Sequence, residues 1–206
     1  VYWVSPQHIT NAPVDKWPLE LKIEVFAASI DGWHLQVADR CINGWQVNGQ
    51  ECINSIIDYQ NEPANYVPHS GWAVLQIVLG YFETIAFFQC GGVIGIDKHY
   101  ELFKRGVDSV FPEFIEFTPS LANMLYSDLR GGLYHSGVAS GNVILSGVNS
   151  AAVAYDPNDR LWKINPHSFV PKLRVHLRLY VETLLNDTNH EERKKFRNAF
   201  IVKYLK

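Results

Sequence analysis

From Trp72 to Phe88 the chain runs for seventeen residues with a single formal charge, Glu83. Leu75, Val78, Leu79, Phe82, Ile85 and Ala86 recur there at helical spacing, which predicts one helix with a broad apolar face. Gln76, Gly80 and Glu83 interrupt the run, so it reads as a core helix and not as a membrane span. Ser70 is placed to cap its start and Cys90-Gly91-Gly92 to stop it. A chain of 206 residues buries roughly 70% of the surface its unfolded state exposes, so such a core needs no metal or disulfide.

Helical periodicity recurs elsewhere. Leu19 to Ile30 predicts a helix with Leu21, Val25 and Ala28 on one face, interrupted at Asp31-Gly32. Trp33 to Ile42 and Gln50 to Tyr59 suggest two more, although Asn43-Gly44 and Asn48-Gly49 would equally suit a hairpin. Val1 to Pro18 holds three prolines and no period, and is expected to be an irregular arm. "NEPANYVPHS" (Asn61 to Ser70) reads as a connector. Asp97 to Val110 predicts a helix, and Thr118-Pro119 the start of another, with Thr118 as cap. Val143 to Ser146, Ala152 to Tyr155 and Leu161 to Ile164 are short β-type runs, and "DPND" joins the last two into a hairpin. Ser168 is expected to cap a long helix bearing Phe169, Leu173, Leu177, Tyr180 and Leu184, and a basic helix from His190 to Leu205 follows. The division expected is an N-terminal extension over 1–65 and a helical domain over 66–206.

The net charge of −3 is uneven. Residues 1–62 carry −5, residues 63–135 carry −3 and residues 136–206 carry +5. The basic third would suit an anionic partner, but Glu182, Glu191 and Glu192 interleave with its cations, as in ordinary helix pairing. Cys41, Cys52 and Cys90 are odd in number and contain no C-x-x-C. That argues against a disulfide framework or a zinc site and fits a reducing cytoplasm. No signal peptide is read, and the first residue is valine, so the numbered sequence is expected to be trimmed or incomplete. "CGGVIG" is not a dinucleotide fingerprint, "GVASG" is not a nucleophile elbow, and no Walker sequence occurs. No cofactor and no metal is therefore expected.

"LYSDLRGGLYHSG" (Leu125 to Gly137) sets two glycines in a helical pattern, each costing about 1 kcal/mol against Ala. Leu125, Leu129 and Leu133 share one face. Arg130 flanks it, with Tyr126 and Tyr134 nearby, and His135 lies about 140° around an ideal helix from Arg130. Two routes would bring Arg130 and His135 together: the Gly pair unwinds the last turn, or a second chain approaches closely across the glycines. Arg presents a planar fork for phosphate oxygens, and His exchanges protons near neutral pH. RNA supplies its own nucleophile, the 2′-hydroxyl.

An Arg followed a few residues later by a His, near the end of a helix in an all-α domain, resembles the HEPN superfamily. "DLRGGLYHSG" (Asp128 to Gly137), a short β-insertion, "INPHSFVPKL" opening a long helix and a basic terminal helix are similar in order, over about Pro68 to Leu205. The resemblance implies a mainly α fold: a HEPN-like helical bundle with a small β-hairpin insertion before the penultimate helix. It implies a homodimer with facing Arg–His motifs, and a metal-independent endoribonuclease of toxin–antitoxin or defence type, with a possible antitoxin partner. Arg130 would bind the scissile phosphate, and His135 would transfer protons to leave a 2′,3′-cyclic phosphate. Other members of the superfamily are silent modules that bind RNA, a nucleotide or a protein. Gly131 stands where active members usually carry a polar residue, and the His-x-Tyr extension of one toxin branch is absent.

Supporting roles are open for Glu83, Asp128 and Tyr134. Glu83 would orient Arg130 or His135, or else simply reach solvent. Asp128 lies too far along the helix to pair with His135 within one chain. Tyr134 would stack on a base, or else serve an interface or the core. Lys172, Arg174 and Arg178 are candidates for the phosphate backbone. His167 and His176 lack metal-ligand spacing and are expected to be surface or core histidines.

Overall fold

The computed structural model describes residues 2–10, 13–43, 45–47, 50–52, 70–92, 99–137, 139, 141–146 and 150–204. The fold is mainly helical. Its elements are β1 (Tyr2–Ser5), β2 (His8–Thr10), α1 (Leu19–Ile30), α2 (Gln36–Asn43), β3 (Trp45–Val47), β4 (Gln50–Cys52), α3 (Ser70–Val78), α4 (Gly80–Gln89) and α5 (His99–Val110). Three stretches, Leu121–Asn123, Met124–Gly131 and Gly132–Ser136, then run on as one helix, α6. β5 (Val143–Leu145), β6 (Val153–Asp156), β7 (Leu161–Ile164), α7 (Pro166–Leu185) and α8 (His190–Tyr204) complete the chain.

Two compact units form, each discontinuous in sequence. The first comprises Val1–Trp33, Gly80–Ala122 and Leu173–Lys206; the second comprises His34–Leu79 and Asn123–Lys172. Neither coincides with the 1–65 and 66–206 division expected from the sequence. The apolar run expected as one helix is two, α3 and α4, parted at Leu79, and they fall in different units. By length and composition Gly71–Gln89 is long and apolar enough to cross a membrane, but half of that window is buried inside the protein.

The first unit is built on phenylalanine. Phe26 of α1, Phe82 and Phe88 of α4, Phe103 of α5, and Phe196 and Phe200 of α8 are fully buried. The Phe88 ring lies 4.4 Å from Phe26 and stacks on Phe196 at 5.3 Å, while Phe82 meets Phe103 edge-on at 5.3 Å. Helices remote in sequence therefore share one aromatic core. α5 lies so close to α4 that a Cβ on Gly106 would collide with the backbone carbonyl of Phe82. The N-terminal arm, expected to be irregular, contains a strand pair: β1 and β2 run antiparallel, Tyr2 opposite Thr10 and Ser5 opposite His8, with a shift in register between Trp3 and Ser5. The Ser5 hydroxyl and His8 Nδ1, 2.6 Å apart, fasten its turn, and His8 Nε2 reaches Glu24 on α1 at 3.2 Å. Its prolines mask the period of strands only three and four residues long.

In the second unit α2 packs on α3, and α3 on the last turns of α6. β3 and β4 pair antiparallel, so the helix expected from Gln50 does not start there. The rest of that expected helix, and the connector from Asn61, lie outside the described residues. The expected β6–β7 hairpin forms, and β5 adds to it in parallel, giving the order β5-β7-β6. A parallel partner arrives from outside the hairpin, which no turn signal announces. α6 begins at Leu121 and not at Pro119, so Thr118 is not its cap. α7 begins with Pro166, and its cap is Asn165, not Ser168: Asn165 Oδ1 accepts the His167 N–H at 3.0 Å. Ser168 instead donates to the Ser150 carbonyl at 2.9 Å. Pro at the first helical position forfeits no intrahelical bond, which makes Asn-Pro a natural start.

Gly106→Ala should destabilise the protein by at least the upper end of the about 1–3 kcal/mol usual for overpacking, because backbone has to move. Chemical denaturation of the variant checks this. Gly80→Ala, where an added Cβ meets nothing within 4 Å among the described residues, should be stabilising by up to about 1 kcal/mol.

Candidate functional site

Leu125, Leu129 and Leu133 are all buried, as their spacing predicts. The backbone beneath them differs from an ideal helix. Met124–Gly131 is π-helical, with i→i+5 bonding and a wider turn, a form frequent at functional sites. The expectation that the Gly pair unwinds the helix is corrected here. Gly131 (φ −60°, ψ −47°) and Gly132 (φ −60°, ψ −49°) are ordinary right-handed helix. The helix ends further on, at Gly137 (φ 74°), whose N–H bonds the Leu133 carbonyl at 3.2 Å. His135 therefore sits in the last turn.

Tyr126, Arg130, Gly131, Tyr134 and His135 line one cleft of about 280 Å³. The Arg130 guanidinium carbon lies 5.0 Å from the Tyr126 ring centre, a cation–π contact. Tyr134 is 78% exposed, so it is not a core residue, and its ring meets the His135 imidazole edge-on at 5.2 Å. His135 is also exposed. Among the described residues, a Cβ on Gly131 would touch only the Tyr126 carbonyl oxygen, at 3.7 Å. The cleft thus joins a fixed cation, an imidazole and an exposed ring: phosphate binding, proton exchange and base stacking are the chemistries it can support.

The other expected residues are placed elsewhere. Asp128 lies under the turn at Gly141, where a Cβ would come within 2.9 Å of its carboxylate. Gly141 also has φ 73°, so glycine is required there twice over. Glu83 is in the first unit, its carboxylate 4.0 Å from His99 Nδ1, and does not line the cleft. Arg174 Nε pairs with Asp31 at 3.1 Å, and Arg178 Nε lies 3.8 Å from Glu182. These two arginines border a different groove of about 700 Å³ that also presents Glu20 and Glu24. Lys172, half-buried on α7, belongs to the second unit. On α8, Arg193 pairs with Asp187 (2.7 Å) and Glu20 (3.3 Å), and Lys195 with Glu192 (2.8 Å).

A second polar cluster was not foreseen. His176 of α7 stands between two hydroxyls, Tyr81 at 2.7 Å from Nδ1 and Ser109 at 2.8 Å from Nε2. Gln89 Nε2 donates to the same Ser109 oxygen at 3.0 Å. Burial pushes the His176 imidazole down to about 4 and the Tyr81 phenol well above its ordinary range. Tyr81 is 2% exposed, and imidazole Nδ1 is the acceptor that satisfies its O–H. Nε2 then carries the proton and donates to Ser109. Ser109 is therefore held as an acceptor and not primed as a nucleophile, and the chain of bonds fixes the imidazole. Positions 81, 109 and 176 share no sequence spacing that would group them.

Comparison with models of known families, with curated proteins and with solved structures found no match.

His176 is neutral in the fold, whereas an unfolded chain protonates near pH 6.5. As pH falls from about 6.5 to about 4 the unfolded state gains a proton that the native state refuses, so stability drops across that window. His176→Gln should flatten this part of the stability–pH profile relative to wild type, measured by urea unfolding at a series of pH values. An unchanged slope would contradict the neutral, hydroxyl-held imidazole.

Proposed function

We propose that the Arg130–His135 cleft is the active site of a HEPN-type, metal-independent endoribonuclease that works as a homodimer in a toxin or defence role in the cytoplasm. The observation that carries this reading is the cleft itself: Arg130 and His135, far apart around a regular helix, border one cavity together with two tyrosines. The helical fold and the small sheet preceding a long penultimate helix agree with it.

In this reading the Arg130 fork holds two oxygens of the scissile phosphate. The 2′-oxygen attacks phosphorus, its proton passes to an imidazole, and the 5′-oxygen leaves with a proton returned to it. The products are a 2′,3′-cyclic phosphate and a 5′-hydroxyl. Two proton transfers ask for two groups, and a second chain supplies a second His135. The open space at Gly131 leaves room for a partner backbone, and an antitoxin protein would act by covering the cleft.

Cleavage of end-labelled RNA in EDTA tests the proposal. Wild type should leave cyclic phosphate ends, and His135→Ala should lose about 10²-fold or more, the usual worth of a proton-transfer group. Arg130→Ala should fail as severely, with Arg130→Lys retaining part of the activity. Cleavage persisting in both alanine variants would overturn the assignment. Gly131→Leu should leave the monomer folded but shift sedimentation from dimer to monomer, and an unaltered dimer would remove Gly131 from the interface.

A second reading, a silent HEPN-like module that binds RNA, is favoured by two features. Gly131 replaces the polar residue usual in active members, and Tyr134 offers an exposed stacking face beside a cation. RNA retained by both wild type and His135→Ala, with no cleavage by either, would select it.

A further inference from the structure

The Arg130–His135 cleft holds groups that phosphate binding and proton transfer leave unused. Tyr126, Arg130 and Tyr134 stand four residues apart along α6, the spacing that makes helix side chains neighbours, and all three border the same cleft. The cation thus lies between two rings, and the rings are not equivalent. Tyr126 is half-buried, and the Arg130 guanidinium lies over its ring at 5.0 Å, so this face is given to the cation. Tyr134 is 78% exposed. Its contact with the His135 imidazole is edge-on, at 5.2 Å and 90°, and such a contact covers one face of the ring at most. The rest of the ring stands in solvent beside the cation.

An exposed ring next to a phosphate-binding cation is a stacking platform for a base. A base inside a duplex already has neighbours on both faces and offers none to a side chain, whereas an unpaired base does. The cleft, about 280 Å³, lies at the small end of ligand sites, so it takes one nucleotide unit and not a helix. Base edges are read chiefly by Arg, amide and carboxylate side chains. Among the described residues the lining holds no amide and no carboxylate, and the Arg130 fork is directed to phosphate. Stacking without edge contacts accepts every base, and the larger purine rings stack more strongly.

We infer that Tyr134 stacks on one unpaired base flanking the phosphate held by Arg130, so that the site takes single-stranded RNA and selects it by an accessible base and not by sequence. The inference rests on the reading of this cleft as an RNA site. It does not depend on whether the bound strand is cut.

Fluorescence anisotropy of the full chain with labelled 2′-O-methyl oligonucleotides provides the test. Methylation removes the 2′-hydroxyl nucleophile, so binding is read without cleavage. Wild type should bind oligoadenylate, oligouridylate and oligocytidylate with affinities within about tenfold of one another, oligoadenylate tightest. Each should bind at least about tenfold tighter than an oligoadenylate–oligouridylate duplex of the same length. Tyr134→Ala should weaken single-strand binding about tenfold, the usual worth of one stacked base, with Tm unchanged because the ring is exposed. Tyr134→Phe should bind as wild type does, since stacking needs the ring and not the hydroxyl. The inference is overturned if no single strand binds, if the duplex binds as tightly, or if Tyr134→Ala matches wild type. A preference of more than about tenfold for one base overturns it too, because that requires edge readout. The nuclease reading fails separately: unmethylated RNA bound in this way but left uncut by wild type would remove the catalysis and support the stacking.

Discussion

The Phe88 ring holds the first unit together. It touches Phe26 from α1 and Phe196 from α8 at 4.4 and 5.3 Å, so segments that lie at the two ends of the chain are fixed against its middle. Aromatic side chains bury large areas with specific edge and stacking preferences, and they impose positions that smaller residues would leave loose. The bare backbone of Gly106 then lets α5 come down onto Phe82. The polar chain through His176 depends on both arrangements. Tyr81 lies next to Phe82 on α4, Ser109 lies one turn beyond Gly106 on α5, and the histidine reaches both hydroxyls only because those two helices are close.

In the second unit the controlling constraint is the leucine face of α6. With Leu125, Leu129 and Leu133 buried, the helix cannot rotate, and Tyr126, Arg130 and Tyr134 stay on its accessible side. The π-helical stretch changes how far each residue advances around the axis without moving the leucines out of the core. The cation, two rings and imidazole border one cleft. The two units thus carry different chemistry: an exposed cationic and aromatic cleft in one, a hydrogen-bonded chain through His176 in the other.

Long amphipathic helices were the most readable part of the chain. α1 starts at Leu19 as its apolar period requires, but Asp31-Gly32 does not interrupt the helical backbone, which continues as a π-helical stretch over Asp31–Leu35 into α2, whereas Gly91 and Gly92 follow the end of α4 with φ values of 78° and 79°. Short elements read poorly. Tyr2–Ser5 and His8–Thr10 are too short to show an alternation, and Val143–Leu145 joins its sheet through a parallel partner that no local signal names. At the start of α7 the sequence points to Ser168 as the cap, and the bond from the His167 N–H shows that Asn165 is the cap instead. At the site, Arg130, His135, Tyr134 and Gly131 were visible because they are neighbours on one helix. Asp128 was attractive for the same local reason and Glu83 as the one charge of an apolar helix, and tertiary packing placed them against Gly141 and His99 instead.

The sequence by itself determined the helical class, the leucine face of α6, the cation and imidazole on its flank, and the glycines that end helices. Each depends on spacing within one element, where 3.6-residue periodicity and local backbone preference decide the outcome. Only the tertiary structure decided that residues 81, 109 and 176 form one hydrogen-bonded chain and that Arg174 of α7 pairs with Asp31. Those outcomes depend on which helices meet and how closely. That is set by side-chain volume and a missing Cβ at contacts dozens of residues apart, and no local pattern records it.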